Sequence, residues 1–360
     1  MIYLDANASE TLRPVARAAA MSAMDEPGNP SSIHGAGRAA RRILEDSRAR
    51  IARRFGAGIE DVVFTSGGTE ANALAIAGLG AGRRKLFSAI EHDCVRTACR
   101  DGQSLAVDRH GVLDLAGLDT ALANGGPALV CLMLANNETG VIQPVAEAAA
   151  ICLAYGALLH VDAVQAAGRI GADIAALGAA SMAISGHKMG GLKGAGALLL
   201  APGVTLPPLI GGGGQERGRR GGTPPLPAIA AMAAAEAAPG EAEVLAGMRD
   251  MIEAAATDAA AVACGAGAAR LANTTCLALP GVRSDTQVIA LDLAGFAVSA
   301  GAACSSGKVA RSHVLDAMGL ENLSGCAIRV SLPWNATEAE ARSFAEAYAA
   351  MAGRLARHAA

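Results

Sequence analysis

At 360 residues, 52% of them hydrophobic and 44 of them glycine, the chain is long enough to bury a large core in one large domain or two. A formal net charge of −3 with no block of lysine or arginine excludes a nucleic-acid-binding face. No apolar run reaches the ~18 residues of a membrane span, and Met1-Ile2-Tyr3-Leu4-Asp5 lacks the basic and apolar regions of an export signal, so a cytoplasmic protein is expected.

In chain order, Tyr3 to Ser9 reads as a polar loop before a helix beginning near Arg13-Pro14. The cluster Gly28-Asn29-Pro30-Ser31-Ser32-Ile33-His34 reads as a turn, and residues 37–55 as a helix with arginines on its polar face. Strand and helix then alternate. Val62 to Thr65 is a β-branched strand, Ser66-Gly67-Gly68 a turn that lets backbone approach a ligand, and residues 69–79 a helix opened by Thr69. The free amides and positive dipole at that helix start suit a phosphate, although an ordinary threonine cap explains the same residues.

Three further strands end in polar residues. Residues 85–90 lead into Glu91-His92, residues 128–134 into Asn136-Asn137-Glu138, and residues 157–161 into Asp162-Ala163-Val164-Gln165. A histidine at a strand end titrates near neutrality and can stack on a cofactor ring. A buried aspartate is costly without a cationic partner, and a protonated pyridine nitrogen is such a partner. The stretch from Ser181 to Gly191 carries Ser185, His187 and Lys188 just past another apolar strand. A lysine delivered to the crevice at the carboxyl ends of strands is an amine nucleophile that condenses with carbonyls, as pyridoxal phosphate enzymes require. Residues 196–200 form one more strand.

Beyond about Glu241, alanine-rich helices surround short strands at 274–279 and 297–299. Eight cysteines stand at 94, 99, 131, 152, 264, 276, 304 and 326, none in a Cys-x-x-Cys pair, so no metal site is expected and most read as small buried hydrophobes. Cys304 differs, lying among Gly, Ala and Ser with Lys308 nearby to favour its thiolate.

The ordered series Tyr3-Leu4-Asp5, Gly28-Asn29-Pro30-Ser31-Ser32-Ile33-His34, Thr65-Ser66-Gly67-Gly68-Thr69-Glu70, Glu91-His92, Asn136-Asn137-Glu138, His160-Val161-Asp162 with Gln165, and Ser185-Gly186-His187-Lys188 resembles the cysteine desulfurases of the class V aminotransferase group. The match continues through residues 211–223 to Ile328-Arg329-Val330, nearly the whole chain. It differs from the family at Asp5-Ala6-Asn7-Ala8, at Ala71-Asn72 and at Met189-Gly190-Gly191-Leu192. The loop around Cys304 is similar to the longer-loop, NifS/IscS-like branch.

The resemblance implies an α/β protein of the fold-type I class of pyridoxal phosphate-dependent transferases. Its large domain (16–240) would have a mostly parallel central sheet flanked by helices; residues 241–360 would form a smaller α+β domain with the catalytic cysteine loop, and residues 1–15 would join it. Implied roles are Lys188 for covalent attachment of pyridoxal 5′-phosphate and proton transfer, His92 for stacking and proton transfer, Asp162 for the pyridine nitrogen and Gln165 for the phenolic oxygen. Gly68, Thr69, Ser185 and His187 would hold the phosphate, helped by Thr223 from the second subunit of a homodimer. Asn137 and Arg329 would bind L-cysteine, Asn137 also contacting the cofactor, and Cys304 would take the sulfur as a persulfide for an acceptor or iron–sulfur scaffold protein. The same residues leave open a selenocysteine lyase or other β-elimination enzyme, and a catalytically idle paralogue that acts as a binding subunit.

Overall fold

A computed structural model describes residues 1–236, 238–301 and 311–359. After a short strand β1 (Ile2–Tyr3), helices α1 (Pro14–Met24) and α2 (Gly35–Arg54) precede the alternating region. That region runs β2 (Val62–Thr65), α3 (Gly68–Leu79), β3 (Arg84–Ser88), α4 (Asp93–Ala98), β4 (Gln103–Leu105), α5 (Leu115–Ala123), β5 (Ala128–Met133), α6 (Val145–Ala154), β6 (Leu158–Asp162), β7 (Ser181–Ser185), β8 (Gly196–Leu200) and α7 (Leu226–Ala234). Strands β2 to β8 make one seven-stranded sheet of order β2-β8-β7-β6-β5-β3-β4. Pairing is parallel from β4 through β7, whereas β8 runs antiparallel to both β7 and β2.

The sheet is covered on both faces, so its central strands are apolar throughout rather than alternating. Successive side chains still point to opposite sides. In β5, Ala128, Val130 and Leu132 join the core under α1, α2, α5, α6 and α7, while Leu129 and Cys131 join Leu74, Ile76, Val95 and Cys99 under α3 and α4. The α2 face adds a buried charge pair. Arg48 donates to both carboxylate oxygens of Glu216 at 2.7 and 2.8 Å, and Glu216 also accepts from the Phe64 amide of β2 at 2.8 Å. This pins the glycine-rich segment 211–223 to the sheet edge.

The rest of the chain gives α8 (Glu241–Asp258), β9 (Val262–Cys264), β10 (Thr274–Ala278), α9 (Ser284–Leu293), β11 (Phe296–Ala297), β12 (Ser299–Ala300), α10 (His313–Ala317), β13 (Ala327–Ser331) and α11 (Glu338–Ala359). A four-stranded antiparallel sheet, β12-β13-β10-β9, packs Leu277, Ile328 and Val330 against Ile252, Phe344 and Tyr348. Strand β1 pairs in parallel with β11, and Leu4 lies in this same core. The single strand expected at 297–299 is two, because the chain changes sheets at Val298. Among the described residues no helix is long and apolar enough to cross a membrane.

Candidate active site

The carboxyl ends of the parallel strands open onto a cavity of about 220 Å³. Nine of the residues singled out in the sequence line it: Gly68, Thr69, His92, Asn137, Asp162, Gln165, Ser185, His187 and Lys188. Each is delivered by a strand end, by the turn that follows it or, for Gly68 and Thr69, by the first turn of the next helix, which is where an open α/β sheet exposes polar groups without disturbing its core.

Helix α3 begins one residue earlier than expected, at Gly68, with Gly67 before it and no side-chain cap. The glycine is required by packing. A Cβ on Gly68 would lie 2.4 Å from Val164 Cγ2. Glu70 holds the turn from the helix side, accepting from the Ser66 amide at 2.7 Å and pairing with Arg220 at 2.7 and 3.1 Å. Beside this helix start, the Ser185 hydroxyl is buried and has no hydrogen-bond partner among the described residues. His187 completes the group, with its Nδ1 3.2 Å from Ser9 Oγ. Burial, assisted by Lys188 and Lys193, lowers its pKa to about 4, so it is neutral. Amides at a helix N-terminus, an unsatisfied hydroxyl and a neutral imidazole suit a phosphate group.

Asp162 closes β6 at the cavity floor. Its Oδ1 accepts from the Val164 amide at 2.9 Å and its Oδ2 from Asn72 Nδ2 at 2.7 Å. Burial raises its pKa in spite of those bonds and of the nearby His92 and Lys188. The carboxyl therefore favours a further cation in contact, as a protonated ring nitrogen is. Lys188, in the short turn after β7, donates to the backbone carbonyls of Asn7 (2.5 Å) and Ala8 (3.0 Å). Gln165 donates to the Asn7 carbonyl at 3.0 Å and accepts from Arg169 at 2.6 Å. The shifted asparagine is thus anchored: the Asn7 side chain donates to Asn137 O at 3.2 Å and to Thr274 Oγ1 at 3.0 Å.

Arg329, on β13, is not among the residues lining the cavity and meets it through Asn137, donating to the Asn137 carbonyl at 3.1 Å; the Asp5 carboxylate holds it from the other side at 2.6 Å. Its Nε is buried and has no partner among the described residues, a donor set suited to a carboxylate. Thr223 is exposed and is not among the residues lining this cavity. Cys304 and Lys308 lie outside the described residues. Gly301 and Ser312 both meet Glu138, next to Asn137: a Cβ on Gly301 would lie 2.6 Å from Glu138 Oε2, and Ser312 Oγ donates to that oxygen at 2.6 Å.

Several contributors were not singled out as site residues in the sequence. Asn72, Cys94, Met133, Ala135 and Val164 also line the cavity. Asn72 accepts from His160 Nε2 at 2.9 Å while its amide reaches Asp162, so a buried chain runs from Ser181 through His160 and Asn72 to the carboxylate. A polar residue on the inner face of a predicted helix and a histidine inside a strand were the available hints. Among the described residues no cluster of His, Cys, Asp and Glu is arranged to hold a metal.

The doubly covered sheet with a lysine, an aspartate and a histidine at its strand ends defines a class of enzyme. Residues 2–344 match the family described as Aminotransferase class-V. A cysteine desulfurase of Cereibacter sphaeroides is 39% identical over 94% of this chain and 92% of its own length. The X-ray structure of a NifS-like protein from Rickettsia africae superposes with a TM-score of 0.90 at 34% identity, covering 98% of this chain and 99% of that one. A structure described as SspA in complex with cysteine superposes with a TM-score of 0.81 at 28% identity, covering 92% and 99%. The chain belongs to the class-V aminotransferase family and, within it, to the cysteine desulfurases.

Proposed function

We propose that the protein is a pyridoxal phosphate-dependent cysteine desulfurase, converting L-cysteine to L-alanine and leaving the sulfur on the enzyme as a cysteine persulfide. The observation that carries the reading is the convergence of Lys188, Asp162 and His92 on one cavity beside an unsatisfied Ser185 hydroxyl. When bound, the cofactor supplies an electron sink for the bonds at the substrate α-carbon. The chain supplies the rest.

Lys188 would hold the cofactor, and its amine would move the substrate α-proton. Asp162 would pair with the ring nitrogen of the bound cofactor, and His92 would stack on the ring and pass protons. Gln165 would bind the ring's phenolic oxygen and Asn137 would also contact the cofactor; Gly68, Thr69, Ser185, His187 and a partner-subunit copy of Thr223 would hold the phosphate. Arg329, oriented by Asp5, grips the substrate carboxylate with Asn137 beside it. The Cys304 thiolate would attack the substrate sulfur: a sulfur–sulfur bond forms, the carbon–sulfur bond breaks with its electron pair left on carbon, that carbon takes up a proton, and alanine departs.

The finer proposals are a cytoplasmic homodimer, a division into residues 1–15 with 241–360 and residues 16–240, and delivery of sulfur to an acceptor or iron–sulfur scaffold protein. No observation favours the elimination or idle-paralogue readings. Borohydride reduction of cofactor-loaded protein followed by peptide mass spectrometry tests the site. The expected result is cofactor mass on the peptide containing Lys188; unmodified Lys188 with cofactor elsewhere would overturn the reading.

A further inference from the structure

Cys94 lines the cavity and touches His92 twice. Its backbone amide donates to His92 Nδ1 at 3.2 Å, and its sulfur lies 3.1 Å from the same nitrogen. Because Nδ1 accepts from a backbone N–H, which cannot reverse its role, the neutral ring carries its proton on Nε2. The sulfur is itself oriented, since Asn72 Nδ2 donates to it at 3.4 Å while also bonding Asp162. That leaves the S–H to donate to Nδ1. A continuous polarised chain therefore joins Asp162 and His160, through Asn72 and Cys94, to the imidazole.

We propose that Cys94 is a positioning residue for His92: beside the backbone amide that fixes the Nε2-protonated tautomer, its thiol, aligned by Asn72, opposes protonation of Nδ1 and so keeps the imidazole in the neutral form from which it exchanges protons during turnover. This rests on His92 being a proton-moving group of the site. A donor into Nδ1 opposes ring protonation, so removing it raises the ring's midpoint, and a hydroxyl in place of the thiol keeps it down.

Among the described residues, the charges around the ring come from several elements. Asp162 of β6, Glu138 between β5 and α6, and His313 of α10 interact with its charge. Lys188 lies across the cavity, and Glu91, Asp93 and Arg96 belong to its own segment. Substitution of Cys94 leaves all of these side chains in place, and of them Glu91 is the one whose carboxyl Cys94 itself helps to raise.

The test is nitrogen-15 titration of the histidines in cofactor-loaded wild type, C94A and C94S, with the His92 signals assigned by their loss in H92N, beside the pH dependence of kcat. One hydrogen bond of ordinary strength predicts a midpoint in C94A raised by about 0.5–1 pH unit, a wild-type-like midpoint in C94S, and the same displacement in the acid limb of kcat. The ring titration reads the proposal directly whether or not alanine is formed. Coincident midpoints in wild type and C94A, or a C94S midpoint that stays with C94A, would overturn it.

Discussion

Arg329 and Asp5, 324 positions apart, meet at 2.6 Å, and the second oxygen of Asp5 accepts from Ser299 Oγ at 2.9 Å. The carboxylate takes one guanidinium nitrogen and leaves the buried Nε for another acceptor. Asp5→Ala frees the arginine to swing. KM for L-cysteine is expected to rise about tenfold or more, the equivalent of one charge-assisted hydrogen bond, with a smaller change in kcat. Steady-state kinetics that show a lower kcat at unchanged KM would remove Arg329 from carboxylate binding.

Ser185 makes opposite predictions in two states. Without the cofactor its hydroxyl is buried and unsatisfied, so Ser185→Ala is expected to leave the melting temperature of cofactor-free protein unchanged or slightly higher. With the cofactor, loss of a hydrogen bond to a charged group weakens binding by about 10–100-fold. Equal affinities for pyridoxal phosphate in the two proteins would count against a phosphate at Ser185.

Glu91 links stability to pH. Burial is the main cause that raises its carboxyl well above the usual carboxylate range, with Asp162 adding to it and the Met133 amide, at 2.6 Å, opposing it. The folded protein thus binds a proton that the unfolded chain releases first. Its contribution is full below the unfolded value and is lost as pH rises through the folded value. Urea unfolding at several pH values should show Glu91→Gln gaining on the wild type as pH rises from about 5 to 8. A difference that is constant across that range would mean that Glu91 is ionised in the fold.

The Arg48–Glu216 pair anchors the segment carrying Thr223. Removing one partner leaves the other charge buried, so Glu216→Ala is expected to cost about 3–5 kcal/mol of unfolding free energy. A loss below about 1 kcal/mol would show that the edge of the sheet relaxes and lets Arg48 reach water.

The parts of the site that were legible in the sequence are those that chain order delivers. Lys188, Asp162 and His92 each follow an apolar run short enough to be a strand, so their common location follows from the sheet rule without any contact being known. What was not legible depends on contacts between distant segments or on backbone atoms. The carbonyls of Asn7 and Ala8 receive Lys188, and a carbonyl has no residue signature. Asn72 and Cys94 look like ordinary helix residues until α3 packs beside β6 and α4 beside α3. The direction of β8 was open as well, because an apolar strand reads the same parallel or antiparallel.

The most direct measurement is alanine released from L-cysteine by the pyridoxal phosphate-loaded protein under reducing conditions, beside Cys304→Ala. Alanine is expected from the wild type and almost none from the variant. Equal alanine from both would contradict the persulfide role of Cys304, and none from a cofactor-loaded wild type would contradict the desulfurase itself.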